Sequence, residues 1–545
     1  MKKQNYLKGS LILMLSAIAA KALGAVFRIP LTNILGGVGM SYFGCAYSLF
    51  MPVYALIVTG ISSAVARMTA ARAALGLYAS VRRIRSTALM LFTAAGAPAS
   101  VLMVLLARPY SICSAGSAEA APAVAMIAPA VIFGCITAVE RGYYEGLSNM
   151  YPTALSQVAE GIVKVAAGLF LCSYTVSHEE MVRVLFPGIS DVRALAAAAG
   201  ILGVTLSSAG AVVYFRILRL VSAPLPEGGD CSERRTEIAS ELISAALPIG
   251  AAALVTNLSA LIDMWTVIGC LSQNGAYEGV FPGVGDGESA RFVYGSFSGI
   301  ALTVFNLVPS VTNMLGKGAL TGTAAARELG DRKALRNSSV QALLAAEVIA
   351  LPAAVGLGIF APETLGMLFP RQPDEVGVCI SALRLLMPGM VFLCLSYPVF
   401  SMLQGIGRAG VPLRIMLAGT AAKLAGNILL IPETGVDGAA ISTSLSYALI
   451  LFLALRTYFR EADITLPAAP FVKVLYAGAM CGGAAWLAAG RVPGNALRLI
   501  IAGTVGGAVY AAVLRYALEM KMPRKDRGRD VTFSVRREAE RYRKT

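Results

Sequence analysis

Apolar stretches of roughly 20 residues or more recur along the whole chain, with short polar connections between them. A bilayer core is about 30 Å thick, and a helix of about 20 residues crosses it. That recurrence restricts the chain to a bundle of membrane-spanning helices. Composition agrees. Hydrophobic residues make up 57% of the chain and charged residues only 14%, and mean hydropathy is +0.69; a soluble domain carries about a quarter charged residues. Gly and Pro fall inside the apolar stretches, where neighbouring helices can re-satisfy freed backbone groups and small residues let backbones approach. A membrane barrel would instead alternate weakly over segments of about 10 residues. The fold class is therefore all-α, a membrane protein.

Fourteen spans are expected, with cores near 9–34, 42–66, 85–107, 121–144, 152–175, 194–218, 242–268, 291–315, 338–361, 379–403, 411–432, 437–458, 470–490 and 496–519. The first follows Lys2, Lys3 and Lys8, is too long for a signal-peptide core and contains Arg28, so it reads as a retained helix. Lys and Arg gather in alternate connections: Arg72, Arg82, Arg83 and Arg85, then Lys317 to Arg336, then the tail from Lys521 to Lys544. The intervening loops, such as 269–290 and 362–376, are poor in them. Positive residues stay inside, which predicts a multi-pass protein of the cell membrane with both termini cytoplasmic. The net charge of +15 is largely this bias, so membrane lipids rather than nucleic acid are the expected partners. The tail faces either solvent or anionic headgroups.

The nine cysteines are scattered and mostly lie in apolar stretches, and His178 is the single histidine. Neither a disulfide framework nor a metal site has the required spacing, and no cofactor is expected. There is no Walker A pattern for ATP hydrolysis.

Two stretches repeat one another. Glu145-Gly-Leu-Ser-Asn-Met-Tyr-Pro152 precedes Lys164, and Gln404-Gly-Ile-Gly-Arg-Ala-Gly-Val-Pro412 precedes Lys423, with the same spacing from Gly146 to Lys164 as from Gly405 to Lys423. Each covers the end of one span, a short turn and the start of the next. The expected architecture is two pseudo-symmetric six-helix lobes, residues 1–220 and 242–460. Between them runs a cytoplasmic linker, 221–241, and after them come two C-terminal spans, 461–520, and the basic tail, 521–545. Repeated halves with a site between them are a common transporter plan.

Ionisable groups inside spans are costly and are usually paired or functional. The interior candidates are Lys21, Arg28, Glu160, Lys164, Asp263, Arg291 and Lys423. Cations dominate, and they suit a negatively charged headgroup. Lys21 and Arg28 share one helix face, two turns apart. Glu160 and Lys164 stand at i and i+4, where they can either neutralise each other or serve substrate and ion coupling. Asp263 is a lone carboxylate that either binds a coupling ion or hydrogen-bonds a neighbouring helix. Pro30, Pro52, Pro248 and Pro309 are candidate kinks.

The run from Arg141-Gly-Tyr-Tyr-Glu-Gly-Leu-Ser-Asn through Glu160-Gly-Ile-Val-Lys164 resembles the stage V sporulation protein B group. So do Lys8-Gly-Ser-Leu-Ile-Leu, Leu23-Gly24 and Phe27-Arg28-Ile29-Pro30-Leu31. That group lies in the polysaccharide-transporter branch of the multidrug/oligosaccharidyl-lipid/polysaccharide exporter superfamily, and MurJ-type lipid II flippases are its relatives. The resemblance covers most of the chain. It implies two lobes rocking around a central cavity, with Arg28, Lys21 and Arg291 near positions of cavity arginines. Lys164 and Lys423 add to the substrate-binding set, and Asp263 and Glu160 are the ion-coupling or structural carboxylates. An arginine expected in span 2 has no counterpart in Met51-Pro-Val-Tyr-Ala-Leu-Ile-Val.

The resulting expectation is a non-enzymatic flippase for an undecaprenyl-pyrophosphate-linked saccharide or peptidoglycan precursor. It would work by alternating access, alongside cell-wall or polysaccharide synthesis enzymes. A cation-coupled multidrug exporter of the same superfamily is the alternative, although its cargo would favour acidic cavities. A membrane-embedded polyprenyl-phosphate glycosyltransferase would need paired carboxylates that the sequence lacks.

Overall fold

The computed structural model describes residues 6–519 apart from 187, 190, 223–232, 276, 283, 286, 409 and 491; part of the expected linker and all of the basic tail lie outside them. Among the described residues every regular element is helical. The first half of the chain forms α1 (Tyr6–Ala74), α2 (Tyr78–Ala115), α3 (Ala121–Ile127), α4 (Pro129–Gly146), α5 (Tyr151–Ser177), α6 (Glu179–Leu185) and α7 (Val192–Val221). The second half forms α8 (Arg235–Asn274), α9 (Ser289–Ser296), a π-helical segment at Phe297–Ala301, α10 (Leu302–Phe305), α11 (Leu307–Glu328), α12 (Arg332–Ile359), α13 (Ala361–Leu368), α14 (Pro373–Gly405), α15 (Val411–Thr434) and α16 (Val436–Ala462). Two more helices follow, α17 (Ala469–Ala489) and α18 (Asn495–Glu519).

Twelve of these helices are long and apolar enough to cross a membrane, or up to 13 counting the bent pair Ser289–Phe305 and Leu307–Asn313 as one span. The first counts once although its apolar part runs from Leu15 to Ala74, about 90 Å at 1.5 Å per residue. Gly36 breaks it, with φ 65° and ψ −174°, so α1 supplies two spans and the count reaches the fourteen expected. Residues bearing a Cβ are strained in this backbone region, and glycine is not. The break therefore falls at Gly36 and not at Pro30 or Pro52, both of which stay inside the helix. Asn306, rather than Pro309, marks the 43° bend in the second half. The long helix α8 already begins at Arg235, so the connection between the halves is shorter than 221–241.

The sequence repeat is also a structural repeat. α4 and α14 both end on glycine, and α5 and α15 both start with proline in the first turn. In the first turn, Leu147 N donates to the Tyr143 carbonyl and Asn149 N to that of Tyr144; in the second, Ile406 N donates to Met402 and Arg408 N to Leu403. The left-handed position is Gly407 (φ 83°) in one turn and Ser148 (φ 59°) in the other. The helix crossings match as well: Gly142 packs on the Ser62 backbone, and in the second half the equivalent Ser401 packs on Gly316. The glycine sits on opposite partners of the same crossing, and either placement gives the close approach that membrane helices use in place of hydrophobic drive.

A serine in the left-handed region costs about 1 kcal/mol that glycine avoids. Ser148→Gly is expected to raise stability by roughly 0.5–1 kcal/mol, read as a higher melting temperature in detergent, whereas Gly407→Ser lowers it.

Candidate functional site

Two cavities occupy equivalent places in the two halves. In the first, Gln157, Glu160, Gly161 and Lys164 of α5 line a space of about 360 Å³ with Lys21 of α1 and Ser207 of α7. In the second, Met416, Gly419, Thr420 and Lys423 of α15 line a space of about 250 Å³ with Ser259, Tyr397 and Tyr447. The four α5 positions and the four α15 positions correspond one to one through the repeat. Spans entering from the same turn thus present the same face to a cavity, with a lysine at the same depth.

The charge balance of the two differs. Lys423 is buried and donates to Asp263 Oδ2 at 2.6 Å and to Ser259 Oγ at 2.8 Å. Asn427 Nδ2 reaches Asp263 Oδ1 at 3.2 Å and Thr266 Oγ1 at 2.8 Å. Asp263 is therefore not the lone carboxylate expected from its sequence surroundings. The Lys423 ammonium neutralises it, across a helix pair that sequence spacing cannot relate. The side chains of the pair are only 5% and 4% exposed, so each charge relies chiefly on the other.

In the first half the expected pairing also differs. Glu160 accepts from Arg141 Nη2 at 2.7 Å and from Ser208 Oγ at 3.1 Å, not from Lys164, although the i, i+4 spacing allows it. Arg141 is anchored further by Ser156 Oγ at 3.0 Å. A guanidinium reaching across from α4 offers more donors than an ammonium on the same helix. Lys164 is left with no ion pair among the described residues; its Nζ lies 5.2 Å from the centre of the Phe27 ring, a cation–π distance. Lys21 shares the cavity, and the Glu160 carboxylate and the charges of Arg28 and Lys21 all act on Lys164. One half thus holds a cluster of cations, while the other holds a neutral pair.

Arg28 lies where the halves meet. Its Nη2 donates to the Ser298 carbonyl at 2.8 Å, and its Nε is buried without a partner. The π-helical segment takes away the helical N–H partner of that carbonyl, because Leu302 N bonds Phe297 O instead, and Thr303 Oγ1 also reaches it at 3.4 Å. Thr32 Oγ1, which donates to the Arg28 carbonyl at 2.9 Å, also lies 3.4 Å from the Gly299 carbonyl. Single π turns inside α-helices leave such unpaired groups and recur at functional sites.

Arg291 is not brought to this cluster. Its Nη2 lies 3.4 Å from Glu288 Oε1 and its Nη1 3.4 Å from the Gly116 carbonyl, at the end of the bundle opposite the two repeat turns. There Glu288 is held by Arg193 at 2.9 Å, Arg193 also bonds Asp191, and Tyr42 Oη donates to Asp191 at 3.0 Å. Nearby, Glu375 Oε1 accepts from Gly37 N at 3.1 Å, and Asn33 Nδ2 donates to the Leu368 carbonyl at 2.9 Å. These contacts tie the first half to the second at that end. Arg193, Glu288, Glu375 and Asn33 were not expected from the sequence. All lie at or near helix ends or the α1 break, where charge is ordinary, and only the third dimension pairs them. Arg85, read as a loop cation, instead lies in α2 and makes a nearly buried bidentate pair with Glu140, 2.6 Å at its shortest.

A bundle of fourteen spans with ionisable groups turned to internal cavities defines a polytopic membrane transporter. Comparison with known proteins places it further. The profile of the polysaccharide biosynthesis protein family matches residues 6–320, and that of the lipid II flippase MurJ matches residues 311–501. The chain belongs to the polysaccharide biosynthesis protein family. It is 22% identical to stage V sporulation protein B of Bacillus subtilis (strain 168), over 88% of this chain and 89% of that protein. Lipid II flippase MurJ of the same organism is also 22% identical, over 92% and 94%. Among solved structures, lipid II flippase MurJ in an inward closed conformation covers 94% of this chain and all of its own, with TM-score 0.64 at 14% identity. An inward-facing MATE-family multidrug transporter of the MOP superfamily gives 0.63 at 15%, covering 82% and 96%. The fold is thus that shared by these exporters.

Removing Lys423 leaves Asp263 as an uncompensated buried charge, which costs about 3–5 kcal/mol, whereas removing both charges together is far less costly. Lys423→Met is expected to lower the melting temperature in detergent sharply, and the double variant Lys423→Met/Asp263→Leu to recover most of the loss. Equal damage in both would show that the pair carries no such dependence.

Proposed function

We propose that the chain is a flippase for a lipid-linked saccharide or peptidoglycan precursor, of the undecaprenyl-pyrophosphate kind, in the cytoplasmic membrane with both termini cytoplasmic. The observation that carries this reading is the uncompensated cation cluster of the first half: Lys21 and Lys164 in one cavity, with Arg28 acting on the same ammonium. Its one nearby carboxylate, Glu160, is already taken by Arg141. A pyrophosphate brings negative charge and several acceptor oxygens, and charge-assisted hydrogen bonds from clustered cations bind it strongly. A cationic drug would be repelled there, so the exporter alternative fits the charge poorly.

The halves act as two lobes in this reading, residues 1–220 and 242–460, with α17 and α18 appended. Arg28 is the cargo contact at the seam, and its unpartnered Nε is a donor ready for a phosphate oxygen. Lys21 and Lys164 hold the same group, and Lys423 and Asp263 are structural. Arg291 belongs to the cluster that holds the far end closed. The turns at 74–78, 328–332 and 405–411 lie beside Arg72, Arg332 and Arg408, on the side assigned to the cytoplasm. Translocation breaks no covalent bond, so the chain has no catalytic step. Synthesis enzymes that make or consume the precursor are its natural partners.

The test is reconstitution into liposomes with fluorescent lipid II and a short-saccharide undecaprenyl pyrophosphate, scoring arrival in the opposite leaflet. Wild-type protein is expected to flip at least one. Arg28→Ala loses a charge-assisted contact worth about 1.5–3 kcal/mol, on the order of 10–100-fold in rate, with normal expression. Unchanged flipping in that variant overturns the site. Export of a cationic dye with no flipping of either lipid overturns the function.

A further inference from the structure

The two interior carboxylates that sequence reading offered for ion coupling are both neutralised by protein cations, Asp263 by Lys423 and Glu160 by Arg141. A third carboxylate in the membrane is not. Glu347 lies in the middle of α12, is 8% exposed, and its Oε2 is buried with no hydrogen-bond partner. No Lys or Arg among the described residues forms an ion pair with it. One turn on, Leu351 of the same helix packs against Gly478 of α17. The titratable groups around it are the Tyr510 hydroxyl of α18, which is committed to the Val348 carbonyl at 3.0 Å, and the Cys481 thiol of α17 beside Tyr510. The charged residues of α17 and α18 include Lys473 and Arg515, which have partners of their own, and among the described residues no charged side chain is ion-paired with Glu347.

An isolated carboxylate in such a place costs many kcal/mol, and it is relieved by taking up a proton. We propose that Glu347 is a proton-binding site. It carries its proton while α17 and α18 are packed over α12, and releases it when that packing opens during transport, so that the proton is the coupling ion. The last two spans then act as the cover of the proton site. This rests on the transport reading for its coupling but not for the site itself. A metal cation is not the fitting ligand, because no second carboxylate is paired with Glu347 to complete a ligand set.

Two readouts separate the parts. In the first, infrared spectra of full-length wild type and Glu347→Gln in proteoliposomes at neutral pH are subtracted. The expected result is a carboxylic-acid C=O band present in wild type and absent from the variant, since glutamine is the isostere of the protonated acid. A carboxylate band in its place overturns the site. In the second, flipping of the fluorescent undecaprenyl pyrophosphate is followed with and without an imposed pH gradient. Wild type is expected to respond severalfold to the gradient, and Glu347→Gln to flip without responding. A variant that keeps the full response overturns the coupling. A wild type that holds the acid band yet flips neither lipid leaves the proton site standing and removes the proposed cargo.

Discussion

Inside hydrocarbon there is no water to satisfy a broken backbone, so each irregularity in a membrane helix must be answered by another part of the protein. This chain has two at the seam of its halves, and they answer one another. The break at Gly36 frees the N–H of Gly37, which Glu375 of α14 accepts. The π turn at Phe297–Ala301 frees the Ser298 carbonyl, to which Arg28 of α1 donates. Each half thus completes the backbone of the other. Such contacts are cheap to exchange for others of the same kind and costly to leave unmade. An interface built of them is suited to two arrangements rather than to a continuum.

The repeat divides the labour between the halves. Equivalent turns aim equivalent helix faces into equivalent cavities, and each face carries a lysine. In one cavity Asp263 neutralises the lysine. In the other, Glu160 is held by Arg141 and Ser208, and the lysine makes no ion pair among the described residues. The asymmetry therefore comes from which neighbouring helix supplies the counter-ion, not from the lysines themselves. On the proposed reading, anion recognition lies in the first half.

Much of the architecture was legible in the sequence because membrane span length and charge bias are one-dimensional signals. The spans could be counted, and the repeat could be found from Gly146, Lys164, Gly405 and Lys423. What could not be read was pairing. Glu160 with Lys164 was the natural reading at i and i+4, yet Arg141 is the partner. Asp263 looked isolated because Lys423 lies far along the chain. Arg291 shared the chemistry of Arg28 but sits in a different cluster, since α9 delivers it beside Glu288. The break at Gly36 falls in the gap between the first two expected spans, 9–34 and 42–66.

Glu347 shows the same limit from the opposite side. Within an apolar run it looked like one more residue of a span, because a sequence gives no sign that a carboxylate lacks a counter-ion. Only when every helix around α12 is in place does the missing cation become a physical fact. Interior charges in this bundle then sort by partner: Asp263 and Glu160 are held by cations and fix helices in place, whereas Lys164 and Glu347 are held by none. A charge with no protein partner is the one free to take a partner that moves, an anionic cargo in the first case and a proton in the second. The two sites lie in different halves, so coupling between them has to pass through the seam where Arg28 and Glu375 complete each other's backbone.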